Sequence, residues 1–128
     1  MNLNEAAGND NIKLIVTIVN KSIASLVVSA SKNAGAEGGT IMLGKGTCKK
    51  SFYSSFIPGE NLQERAIILT LVQQKKAEEV LAAIARDARL NEPCRGIAFI
   101  VNVKSLFGVA HLAELKDLCI ENGGNVNE

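Results

Sequence analysis

One pattern occurs twice in this chain, and it narrows the fold more than any other feature. Residues 12–19 (Ile-Lys-Leu-Ile-Val-Thr-Ile-Val) are dense in β-branched side chains, an apolar helical stripe follows, and a second strand from Gly38 ends at Gly46. The same order, strand then helix then strand, returns between Arg65 and Val103. β-Branched residues suit a pleated, half-buried strand. Ile23, Leu26, Val27, Ala30 and Ala34 recur at spacings that place them on one helix face. Asn20 is the predicted N-cap of this helix, and Gly35 the glycine just past its end. In the second unit the spacing predicts a strand over 65–72. A helix follows over 75–90 with Ala77, Val80, Leu81, Ile84, Ala85 and Ala88 inward, then a strand over 97–103.

Two such units are best satisfied by an α+β arrangement, the ferredoxin-like βαββαβ sandwich. Its four-stranded antiparallel sheet carries two helices on one face. The other face is expected to present Ile15, Met42, Leu69 and Phe99. An apolar sheet face left in water is unstable, which predicts self-association through the sheets.

The remaining stretches fit around this core as parts of one domain over residues 1–128, a length that supplies a single core. Residues 1–11 read as a flexible lead-in. Residues 47–63 break every period and form a predicted large loop, a length that in a compact domain is usually functional. An extra C-terminal helix is expected over 110–121, with Leu112, Leu115, Leu118 and Cys119 on one side.

Composition excludes several roles. A formal charge of +1 gives no electrostatic reason to bind nucleic acid or an acidic membrane. The strands at 12–19 and 65–72 contain no aromatic residue on which an RNA base could stack. No secretory h-region and no bilayer-spanning apolar run is present, so the expected location is the cytoplasm. Three cysteines at wide spacing, Cys48, Cys94 and Cys119, read as free thiols of a reducing compartment. The single histidine, His111, reads as exposed or capping at the start of the last helix, and Glu78, Glu79 and Asp87 fall on the outer side of their helix. No nucleophile and base come together, so the chain reads as a non-enzyme without a metal site.

The stretch from Gly35 to Thr47 carries a more specific signal. It leaves a helix through glycine, enters a strand at Gly38-Gly39-Thr40, and turns through Gly44-Lys45-Gly46-Thr47. Together with Cys94-Arg95-Gly96 and the Ile97-Ala98-Phe99 strand it resembles the PII-type nitrogen regulatory signalling proteins, and in particular a divergent branch with a shortened large loop. The resemblance covers roughly residues 12–109. It implies a homotrimer whose clefts between neighbouring subunits bind an adenine nucleotide, with the large loop contacting a target.

Carried over residue by residue, the resemblance assigns Thr40 to the adenine, Gly46 and Thr47 to the turn that follows the nucleotide, and Lys49 to a phosphate. Arg95 and Gly96 would come from the next subunit, and Lys45 is a further cation for the site. Three cations of the family pattern are absent: Ile97 stands where a lysine is usual, and Ser105 to Val109 lacks the two arginines. Cys48 replaces a usual glycine. Each charge-assisted bond to phosphate is worth about 1.5–3 kcal/mol, so ATP binding is expected to be weakened. Cys48 and Cys94 would both border the cleft, where they could pair.

Within the loop, Phe52, Tyr53, Phe56 and Ile57 form an apolar cluster expected to dock on a partner. The reading is therefore a regulator that requires no cofactor, takes AMP, ADP or ATP as effector, and controls a membrane transporter or metabolic enzyme in nitrogen metabolism or transport. The alternative is a trimer of the same kind that senses a non-nucleotide metabolite, or a scaffold.

Overall fold

A computed structural model of the protein describes residues 11–47 and 62–108. The elements in order are β1 (Ile12–Asn20), a 3-10 turn (Lys21–Ile23), α1 (Ala24–Asn33), β2 (Thr40–Thr47), β3 (Leu62–Gln73), α2 (Gln74–Asp87) and β4 (Gly96–Asn102). The four strands form one antiparallel sheet in the order β2-β3-β1-β4. Both helices pack on the same face, in the expected ferredoxin-like arrangement.

The start and stop signals act as their chemistry dictates, with one adjustment. The Asn20 side chain accepts a hydrogen bond from the Ser22 backbone N–H at 3.0 Å, so it caps a 3-10 turn that precedes α1. Both helices end alike. Beyond α1, Gly35 takes φ 117, with Ala36 N–H donating to Ser31 O and Gly35 N–H to Lys32 O. Beyond α2, Arg89 takes φ 54, with Leu90 N–H donating to Ala85 O and Arg89 N–H to Arg86 O. These paired bonds satisfy carbonyls that a helix end otherwise leaves open.

The core lies between sheet and helices. Ile15, Val19, Ala66, Ile68 and Val72 from the sheet meet Val27 and Ala30 of α1 and Ala77, Val80 and Ile84 of α2, all buried. Leu26 does not join them. It is exposed, because α1 turns Val27, Ala30 and Ser31 inward and leaves Leu26 beside the stripe. Thr17 and Thr70 are also fully buried on this side, and neither hydroxyl has a hydrogen-bond partner.

The register corrects one assignment on the opposite face. Ile15 pairs with Thr70 and Ile100 and is fully buried under the helices. Its neighbour Val16 occupies the open face instead, between Leu69 on β3 and Phe99 on β4. Side chains alternate with period two, so a one-residue error in a uniformly apolar run moves a residue to the other face. Met42, Leu69 and Phe99 do lie on the open face, joined by Leu14, Ile18, Ile67, Leu71, Ile97 and Val101. All are half-buried or exposed.

Strand bounds differ from the expected ones at the β2–β3 connection. Thr47 pairs with Leu62, and Gly46 with Gln63, so three residues assigned to the loop belong to the ladder. Backbone pairing continues through polar side chains when both strands stay extended, which hydrophobic patterning does not register. α2 also ends three residues earlier than expected, at Asp87. The lead-in over residues 1–10, the connection over 48–61 and the C-terminal helix expected over 110–121 lie outside the described residues. Among the described residues no helix is long and apolar enough to cross a membrane.

Candidate functional site

Two features of the sequence, Gly44-Lys45-Gly46-Thr47 and Arg95-Gly96, approach the same end of the sheet from opposite margins. Gly44 pairs with Arg65, Arg65 with Asn20, and the neighbouring Val19 with Gly96. β2 and β4 are the two edge strands. With adjacent strands about 4.8 Å apart, three intervals set them about 14 Å apart. Within one subunit, then, the two halves of the candidate site flank the sheet and do not meet.

On the β2 side, Gly44 and Gly46 fall on the open face, and their missing Cβ atoms leave a trough there. Arg65 fills it. A Cβ built on Gly46 would stand 2.9 Å from Arg65 Cγ and 3.2 Å from Nε. Arg65 keeps only 7% of its surface exposed, and no carboxylate among the described residues pairs with it. A guanidinium withdrawn from water favours any anion that reaches it. Sequence reasoning passed over this residue because it read Arg65 as the first residue of an apolar strand. The signal was the Gly-x-Gly spacing directly across the ladder.

Thr40 shares this open face, exposed and opposite Leu69, four residues before Gly44. Lys45 and Thr47 are exposed as well, but alternate to the helix side of β2. Lys45 lies across from Glu64, whose carboxylate is 3.2 Å from Lys21 Nζ. Thr40, Gly46 and Arg65 thus share one face, with Lys45 and Thr47 on the other.

On the β4 side the constraints are structural. Gly96 adopts φ 141, and a Cβ there would stand 2.3 Å from Ile18 O and 2.8 Å from Val19 Cγ1. Only glycine lets β4 enter its ladder against β1. Arg95 donates from Nε to Ala88 O at 3.0 Å, which ties the turn to the end of α2. Its two terminal nitrogens are not used in that bond.

Cys94 corrects the free-thiol expectation, because it is disulfide-bonded. An odd number of cysteines still allows one bridge with one thiol left over, and distance along the chain does not limit distance in the fold. Lys49, Phe52, Tyr53, Phe56, Ile57, Cys48, Cys119 and His111 lie outside the described residues. Among the described residues no three His, Cys, Asp or Glu side chains cluster as metal ligands.

Comparison with known proteins adds the following. The family model of the nitrogen regulatory protein P-II matches residues 12–110. Among solved structures, the fold is similar to Arabidopsis thaliana PII bound to citrate, with a TM-score of 0.61 and 20% identity. The match covers 78% of this chain and 82% of that one. At that identity the likeness is one of fold. No curated protein sequence matches significantly.

Proposed function

Since this chain belongs to the P-II nitrogen regulatory protein family, we propose that it is a regulator that reads a small anionic effector at clefts between copies of itself. The observation that carries this reading is Arg65 lying against Gly46, buried and without a carboxylate partner among the described residues. The effector is an adenine nucleotide whose phosphates meet Arg65 on one subunit and the Arg95–Gly96 turn on the next. Thr40 and Gly46 complete the β2 side, with Lys45 and Thr47 on its other face as an outer rim, and Lys49 is carried over from the family pattern as a further phosphate contact.

The sheet supports the assembly. The open face buries Val16, Leu69 and Phe99 only when another sheet covers it, and a closed trimer covers three such faces at once. It also brings the β2 margin of one copy to the β4 margin of the next, which the separation of the two half-sites requires. Effector occupancy changes the setting of the 47–63 connection, whose Phe52, Tyr53, Phe56 and Ile57 engage a transporter or metabolic enzyme of nitrogen metabolism in the cytoplasm. The shift in that equilibrium cannot exceed the effector's differential affinity for its two states.

A second reading is favoured by the citrate in the Arabidopsis PII structure. A buried arginine accepts a carboxylate as readily as a phosphate, with two parallel hydrogen bonds in either case. The same site would then sense a di- or tricarboxylate metabolite.

Calorimetric titration of the purified protein with AMP, ADP, ATP and citrate, with its mass in solution measured alongside, separates these readings. Saturable binding of a nucleotide by a trimer supports the first, and binding of citrate alone supports the second. A monomer has no intersubunit cleft, and that result would sink both.

A further inference from the structure

We propose that Asn20 is a second anion-binding residue beside Arg65, so that an oxyanion finds its first two contacts within a single subunit. This rests on the reading of Arg65 given above, and it adds a residue otherwise assigned only to a cap. Position is the first support. The register sets Asn20 of β1 directly opposite Arg65 of β3, past the last β1–β4 pair, Val19 with Gly96. Alternation puts both residues on the open face, with Ile18 and Ile67 as the next pair inward. Residues directly opposite in such a ladder hold their Cβ atoms about 5 Å apart, close enough for one oxyanion to meet both side chains.

The second support is that the amide can offer only donors. Asn20 Oδ1 accepts from the Ser22 N–H at 3.0 Å and from Ser22 Oγ at 2.9 Å. A backbone N–H can only donate, so the side-chain atom facing it is the oxygen, and both of its lone pairs are used. What Asn20 has left is its NH2 group, which donates to nothing among the described residues although Asn20 is half-buried. The Ser22 N–H is itself consumed by the cap, so the turn supplies no free backbone donor at that position.

The third support is the setting of the pair. Glu64, the carboxylate next to Arg65 in sequence, alternates to the helix side, where Lys21 Nζ holds it at 3.2 Å. On the other flank of Arg65 stands Gly44, which has no side chain. Guanidinium and amide are therefore two donor groups side by side, one charged and buried, the other neutral. The arginine supplies the charge, and the amide adds directed N–H bonds without the repulsion a second cation would bring. Such a pair selects an oxyanion over a neutral metabolite. It does not tell phosphate from carboxylate, a choice left to the 95–96 turn of a neighbouring copy.

The test is Asn20→Asp in the full-length chain. Aspartate keeps an oxygen to cap Ser22, so the turn survives, but it replaces the NH2 donor with a negative charge beside Arg65. By NMR, the introduced carboxyl should titrate at lower pH in Asn20→Asp than in the double variant Asn20→Asp/Arg65→Met, which retains the cap alone. Calorimetry with inorganic phosphate, ATP and citrate is the second readout. Affinity for whichever anion the parent binds should fall about a hundredfold in Asn20→Asp, and about tenfold in Asn20→Ser, which caps without an NH2 group. An identical carboxyl titration with and without Arg65 would overturn the proposal. Binding of ATP or citrate that Asn20→Asp leaves unchanged would also overturn it, while leaving the effector reading intact. Phosphate binding that is lost in Asn20→Asp, in a protein that takes neither ATP nor citrate, would remove the effector reading and keep the Asn20–Arg65 pair. A parent that binds none of the three anions would remove both.

Discussion

The side chain of Arg65 lies across the backbone of Gly46, 2.9 Å at Cγ from where a Cβ would stand. The contact exists because the ladder sets Arg65 opposite Gly44, and the open face of β2 offers no side chain at either glycine. Gly46→Ala should push the guanidinium out of the trough. If Arg65 holds the effector's anionic group, that change should lower affinity by about ten- to a hundredfold, the loss of one charge-assisted bond. Arg65→Ala should do at least as much, and calorimetry would show it. Retention of full affinity by Arg65→Ala would remove this residue from the site.

Gly96 is the position where a methyl group is least tolerable. The Ile18 carbonyl at 2.3 Å is backbone and cannot swing aside. Gly96→Ala must therefore move β4 off the ladder or hold alanine at φ 141, and a loss of about 3 kcal/mol or more is expected. Urea denaturation of the variant measures it. A variant as stable as the parent would mean that β4 enters the sheet differently.

The two helix ends are stabilised by the same hydrogen bonds but not by the same residue. α1 uses Gly35 at its left-handed position, whereas α2 uses Arg89 at φ 54. Relief of the side-chain clash makes Arg89→Gly stabilising by about 0.5–1 kcal/mol, since only a loose ion pair to Glu92 is lost. The rise should appear as a higher thermal midpoint. A fall would show that the unfolded-chain entropy gained by glycine outweighs the relief.

At the centre of the open face, Leu69 sits beside Val16, which in turn faces Phe99. Leu69→Lys places a charge where the proposed trimer would exclude water, at a cost of several kcal/mol. The isolated subunit, in which Leu69 remains near solvent, loses far less. Light scattering should therefore report a monomer that is still folded by circular dichroism. A variant that keeps the parent's mass would rule out this face as the seam.

The β-branched strands, the helical stripes and the glycine at 35 were legible in the sequence because each carries a strong local signal. So was the ferredoxin-like order, which two copies of one supersecondary unit leave little room to avoid. What failed was parity. Residues 12–19 are apolar almost throughout, so nothing local tells Ile15 from Val16, and only pairing to β3 and β4 decides. The same limit hid Arg65, whose place against Gly46 depends on pairing across the ladder rather than on its neighbours in sequence. Arg95 and Gly96 show the converse. Residues chosen for a ligand prove to have structural duties as well, one tying down a helix end and the other letting two strands meet.

The placement of Gly46 and Gly96 on opposite margins of the sheet has a genetic consequence. If a site takes one margin from each of two neighbours, a chain crippled at Arg65 still offers an intact β4 margin, and a chain crippled at the 94–96 turn still offers an intact β2 margin. Neither variant alone forms a working site, yet a mixed assembly does wherever the sound margins adjoin. Two loss-of-function alleles expressed together would complement one another, and the number of rescued sites in each mixed ring would follow from subunit order alone.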